Sequence, residues 1–162
     1  MVEESKTQRY CSLYANKMHL IVMLIPYIEK ELEKGKKIIT ILEDGLENEI
    51  NFFMDKVILG RSKKAKIKKI NWSKSLLSNE QIKQIKKKII IVQGSYEYVM
   101  EVNQKLKDNQ KLNIINCIEF TKFEENSREI LEKHDAILNT SGVKKIPEIF
   151  KINSCLNGIL TK

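Results

Sequence analysis

"KIIIVQGSYEYVM", residues 88 to 100, is the stretch on which the fold turns. Its first half, "KIIIVQ" (88 to 93), is apolar on both faces, as a central parallel strand covered by helices must be. A Gly-Ser turn follows, and helical periodicity resumes over about residues 95 to 108. Strand, small polar turn, helix is half of a repeating unit, and the chain on either side continues the alternation.

Five more β-rich runs bracket this one: "YCSLYA" (10 to 15), "KIITIL" (37 to 42), "KIKKIN" (66 to 71), "NIINCIEF" (113 to 120) and "AILNTS" (136 to 141). Between the first two, Met18, Ile21, Val22, Ile25, Ile28 and Leu32 recur at helical spacing and Gly35 follows where a helix should stop. This predicts a helix over about 17 to 34, with Pro26 removing one backbone bond inside it. Further helices are expected at about 45 to 58, 78 to 87, 95 to 108, 123 to 133 and 143 to 151, with Ser78 as the N-cap of the third of these six.

Such an order implies right-handed crossovers and an α/β three-layer sandwich: a mainly parallel sheet of about five to six strands with helices on both faces. At 162 residues the chain fits one domain, with a polar, flexible segment over residues 1 to 8. A composition 42% hydrophobic and 31% charged, with 6 Gly and 2 Pro, excludes fibrous and disordered classes. No signal peptide is visible and "LIVMLIP" is far too short to span a bilayer, so a cytoplasmic protein without a membrane partner is expected. Cys11, Cys117 and Cys155 are odd in number and form no Cys-x-x-Cys pair, which reads as small buried hydrophobes rather than disulfides or a metal site.

Ligands of such sheets sit beyond the carboxyl ends of the strands. Those ends carry Tyr14, Glu43 and Asp44, Gln93, Gly94 and Ser95, Glu119, and Asn139, Ser141 and Gly142. None completes a phosphate loop, which needs two glycines and a Lys-Ser/Thr pair to wrap and neutralise phosphates. "GRSKKAK" (60 to 66) precedes a strand instead of following one, and "VQGSYEYV" and "LNTSGVKK" supply one Gly each. Either of the latter two is an anion-accepting helix start or a plain turn. "EDG" (43 to 45) reads as a ribose contact or as a helix cap. His134 lies at a helix end and suits backbone bonding. No catalytic set, metal site or cofactor motif assembles from these residues.

The charge is concentrated. Residues 61 to 88 hold 11 Lys or Arg against the single acid Glu80, while the whole chain carries +8. Lys63, Lys64, Lys66, Lys68, Lys83, Lys86 and Lys87 therefore suggest one basic surface able to contact phosphates, with Trp72 inside it to stack on a base.

The order of features resembles the MEDS (methanogen/methylotroph sensory) domains, a divergent RecA-like α/β family without a working P-loop. The resemblance lies in "CSLYANKMHLIVMLIPYIEKELEKGKKIITILED" at the start, "VQGSYEYVMEVNQKL" in the middle and "LNIINCIEFTKFEENSREILEKHDAILNTSGV" at the close. The family usually begins with a His where this chain has Arg9 or Tyr10, and residues 60 to 88 are shorter and more basic than in the family. The resemblance implies a sensory module that responds to a small molecule and acts through a signalling or regulatory protein partner. A non-enzymatic sensor is thus the first expectation, and a nucleic-acid-binding regulator using the basic segment is the alternative.

Overall fold

A computed structural model describes residues 6–75, 77–109 and 111–146. Residues 1–5, Cys155 and the end of the helix expected at 143 to 151 lie outside the described residues. The elements run β1 (Gln8–Tyr14), α1 (Lys17–Glu33), β2 (Ile38–Leu42), α2 (Glu47–Lys56), α3 (Arg61–Lys69), α4 (Asn79–Lys83), β3 (Ile89–Gln93), α5 (Tyr96–Leu106), β4 (Asn113–Glu119), α6 (Phe120–Lys133), β5 (Ala136–Asn139) and β6 (Gly142–Lys145). The strands form one sheet in the order β2-β3-β4-β1-β5-β6. All pairs are parallel except β5 with β6. This is the expected Rossmann-like sandwich.

Every residue of β3 is buried, and β4 is buried from Ile114 to Ile118. Alternate residues of these strands therefore enter two separate cores. Ile89, Ile91, Ile115 and Cys117 pack under α1, α2 and α3, together with Leu20, Ile28, Ile50, Met54 and Ile67. Ile90, Val92, Ile114 and Ile118 pack under α4, α5 and α6, with Ile82, Val99, Leu106 and Ile130.

Helix ends follow local chemistry. Asn16 caps α1 by accepting the His19 amide, and Gly35, at φ +76°, ends the turn beyond it. The helix runs through Pro26, but Val22 lies outside the core stripe and is half exposed. Ser78 and Gln81 form a capping box on α4, as Ser78 foretold. That helix is shorter than expected. Lys87 has φ 54°, which no helix sustains, and Asn109 Nδ2 donates to the Ile82 and Ile85 carbonyls at 2.8 and 2.9 Å.

Two expected elements are overturned. "KIKKIN" is not a strand: it falls in α3 and the extended residues after it, because Ile67 and Ile70 stand three apart, the spacing of one helix face. The helix expected from 143 is instead β6. Ser141 N–H donates to Asn139 Oδ1 at 2.8 Å, Gly142 takes φ +103°, and the chain reverses through a two-residue turn onto the open edge of β5. The helix-capping role of "NTSG" falls with that helix, whereas its turn role stands.

Cys11 and Cys117 are buried and free, and burial pushes the Cys11 thiol up to about 12. Trp72 is buried at 4% exposure, with its indole N–H donating to the Ile67 carbonyl at 2.9 Å. It is a core residue that pins α3 to the sheet and offers no face to a base. As the chain's single tryptophan it should emit at short wavelength and resist quenching by iodide. Emission typical of exposed indole would contradict this placement.

Candidate functional site

The carboxyl edge of the sheet brings six of the candidate residues together. Parallel register sets the ends of β2, β3, β4 and β1 side by side, Leu42 opposite Gln93 and Gln93 opposite Cys117. Gln93 sits at the centre of this edge and is 1% exposed. Its Nε2 donates to Tyr14 Oη at 3.3 Å and to Asp44 Oδ2 at 3.4 Å, while its Oε1 accepts the Asp44 amide at 3.1 Å. Glu43 turns its carboxylate onto the start of α5, where Oε1 accepts the Ser95 amide at 2.7 Å. Ser95 Oγ accepts the Tyr98 amide at 3.1 Å. A carboxylate and a hydroxyl of the chain itself therefore occupy the anion position at this helix start.

Gly94 is required by close approach. A Cβ there would lie 2.6 Å from the Glu43 Cβ and 2.8 Å from Tyr98 Cδ1. Burial, together with the Cys117, Glu119 and Asp44 charges, pushes the Tyr14 hydroxyl up to about 12. Neutral at physiological pH, it serves as a hydrogen-bond partner and not as a base. The first turn of the sheet is likewise closed on itself, since His19 Nδ1 accepts the Ala15 amide at 2.9 Å.

Asn139, Ser141 and Gly142 do not join this cluster. β5 lies three strand spacings from β3, about 14 Å. These residues line a separate cleft of about 240 Å³ against Tyr27, Lys30 and Glu31 of α1.

The basic segment is divided. α3, with Lys63, Lys64, Lys66 and Lys68, packs through Ile67 on one face of the sheet. α4, with Lys83, packs through Ile82 on the other, and Lys86 and Lys87 follow it. Lys63 is also spoken for, at 2.8 Å from Glu29 and 3.0 Å from Glu33. Two lysine groups on opposite layers replace the single surface expected, and buried Trp72 joins neither.

A third location was not legible in the sequence. Arg9 and Asn116 point from β1 and β4 into the α5–α6 layer, and with His134 and Asn103 they border an open recess of about 230 Å³. Asn116 is 0% exposed and His134 7%. The Ile130 carbonyl only accepts, so His134 Nδ1 carries the proton and donates to it at 2.6 Å. Nε2 consequently accepts from Asn116 Nδ2 at 2.9 Å. Asn116 and Asn103 bond reciprocally at 2.7 and 3.1 Å, and Arg9 Nε donates to Asn103 Oδ1 at 3.2 Å. Every polar group of this buried chain is thereby answered. The one sequence sign was Asn116 itself, a polar residue in line with Ile114 and Ile118 on a face otherwise apolar.

Among the described residues no group of three or more His, Cys, Asp or Glu is placed to hold a metal ion, and no helix is long and apolar enough to cross a membrane.

Burial holds the His134 imidazole below its ordinary value of 6.5, against the opposing pull of the Ile130 carbonyl. The unfolded chain takes up this proton first, so folding stability should fall as pH drops below about 6.5. Denaturant titrations of wild type and His134→Gln between about pH 6.5 and 5.5 should show the slope only in wild type. Gly94→Ala should cost about 1–3 kcal/mol, while Gly60→Ala, with nothing within 4 Å, should be close to neutral. Equal midpoints for the two glycine variants would contradict the close approach at Gly94.

No protein-family model, curated protein or solved structure matches the chain.

Proposed function

We propose that this protein is a non-enzymatic, cytoplasmic sensory or regulatory module that takes up a small ligand and passes the signal to a protein partner by contact. The observation that carries this reading is the closed carboxyl edge. In sheets of this kind that edge holds substrate or nucleotide. Here Gln93 ties Tyr14 to Asp44, and Glu43 takes the amide that a phosphate would otherwise meet. The recess bordered by Arg9, Asn103, Asn116 and His134 is polar, rigid and open, and it is where a ligand fits best. His134 spends both ring nitrogens on the protein, so the recess supplies binding without a free acid-base pair. The resemblance to MEDS sensory domains points the same way.

Thermal unfolding of the purified chain against nucleotides and small metabolites tests the reading. A ligand bound only by the folded state at about 100 times its Kd adds roughly 2.7 kcal/mol of stability. Stabilisation without turnover is expected. Hydrolysis of a nucleotide, lost in Ser95→Ala or Asn139→Ala, would overturn it.

A further inference from the structure

We infer that the recess between α5 and α6 is a binding site for a small anion, a carboxylate or phosphate group of a compact molecule, gripped by the free edge of the Arg9 guanidinium. The inference rests on the ligand-sensing reading and gives the ligand its chemical class.

Three observations carry it. The first is the charge of the lining. Arg9, Lys107 and Lys133 border the recess, and the remaining lining side chains, Met100, Asn103, Gln104, Asn116 and His134, include no carboxylate. The nearest acids are committed elsewhere. Asp135 Oδ2 accepts the Arg9 main-chain amide at 2.9 Å, and Glu129 is paired with Lys133 at 2.7 Å. Among the described residues no acid forms an ion pair with Arg9 or Lys107.

The second is orientation. Arg9 stands on β1, between β4 and β5, so its stem rises from the middle of the sheet. Its Nε is spent on Asn103 Oδ1, and Asn103 is held in turn by the Val99 carbonyl at 2.8 Å and by Asn116. Fixing Nε orients the guanidinium plane and leaves the two terminal nitrogens as a fork, the geometry that matches carboxylate and phosphate oxygens. The cost of ordering a long cation is already met before any ligand arrives, which favours binding.

The third is size. A recess of about 230 Å³ falls below the range of about 300–1,000 Å³ typical of drug-sized pockets, which restricts the occupant to a compact molecule. With a permanent cation at the floor and lysines at the rim, a neutral occupant of that size would leave the charge unanswered.

Titration calorimetry with inorganic phosphate, with oxalate and with uncharged glycerol, at low and moderate salt, tests the inference. Saturable binding of phosphate or oxalate is expected, and the stronger of the two names the group recognised. Arg9→Lys keeps the charge but loses the fork and should weaken binding by roughly tenfold or more. Lys107→Gln at the rim, which disturbs no buried bond, should weaken it less and flatten its salt dependence. Lys86→Gln, outside the recess, should leave it unchanged. Anion binding equal in wild type, Arg9→Lys and Lys107→Gln would overturn the site, as would loss of binding in Lys86→Gln to the same degree. If glycerol or another neutral metabolite binds and anions do not, the ligand class is wrong while the sensing reading stands. If no ligand of either kind stabilises the chain, both fall.

Discussion

Ile89, Ile90, Ile91 and Val92 leave β3 no side that can face water, and the rest of the structure is arranged around that constraint. A strand apolar on both faces must be covered twice, and parallel neighbours are joined through helices that supply the cover. The chain meets this with α1 to α3 on one face and α4 to α6 on the other. The long connection from β2 to β3 serves both layers in turn, which is why its lysines end up divided between them. At the far edge the same need to satisfy exposed backbone groups is met by folding β6 back onto β5.

Within these layers buried polar groups are few and joined into two networks, one on each face. Gln93 anchors the first at the carboxyl edge, linking Tyr14 and Asp44 while Glu43 fastens the start of α5. Asn116 anchors the second, where Asn103 and His134 close on it and Arg9 is drawn in by its Nε. They differ in what they leave over. The first network uses up its charges on its own backbone and side chains. The second ends in a guanidinium edge that faces an open recess, and this difference is the reason the functional reading moves away from the edge that the fold alone would nominate.

Much of the fold could be read from residues alone. β-rich runs of isoleucine, the helical stripe from Met18 to Leu32 and the caps at Ser78 and Gly35 are local signals, and five of the expected strands and most helices obey them. "KIKKIN" misled because β-branched content was weighed above spacing, although Ile67 and Ile70 already stood at helical distance. "NTSG" was read correctly as a turn, but the strand beyond it forms because the edge of β5 lies open beside it, and "GVKK" itself does not dictate that outcome. Trp72 sat among lysines in the sequence, and only packing revealed that its indole belongs to the core.

For the candidate sites the division is sharper. That Tyr14, Glu43, Asp44, Gln93, Gly94 and Ser95 gather at one edge is a consequence of the alternation of strand and helix, because strand ends of a parallel sheet share a side. That they bond to one another and fill the space could not be read, since hydrogen-bond partners depend on which strands are neighbours. Arg9, Asn103, Asn116 and His134 come from a strand, a helix, a second strand and a junction, and no spacing links them. The sequence by itself determined the alternation, the two-faced strands and the helix ends, because each is encoded within a few residues. Strand order, and with it the pairing of β1 to β4 and β5 that assembles the Arg9 recess, was decided only by the tertiary structure, because it is set by which distant pairings bury the most apolar surface together.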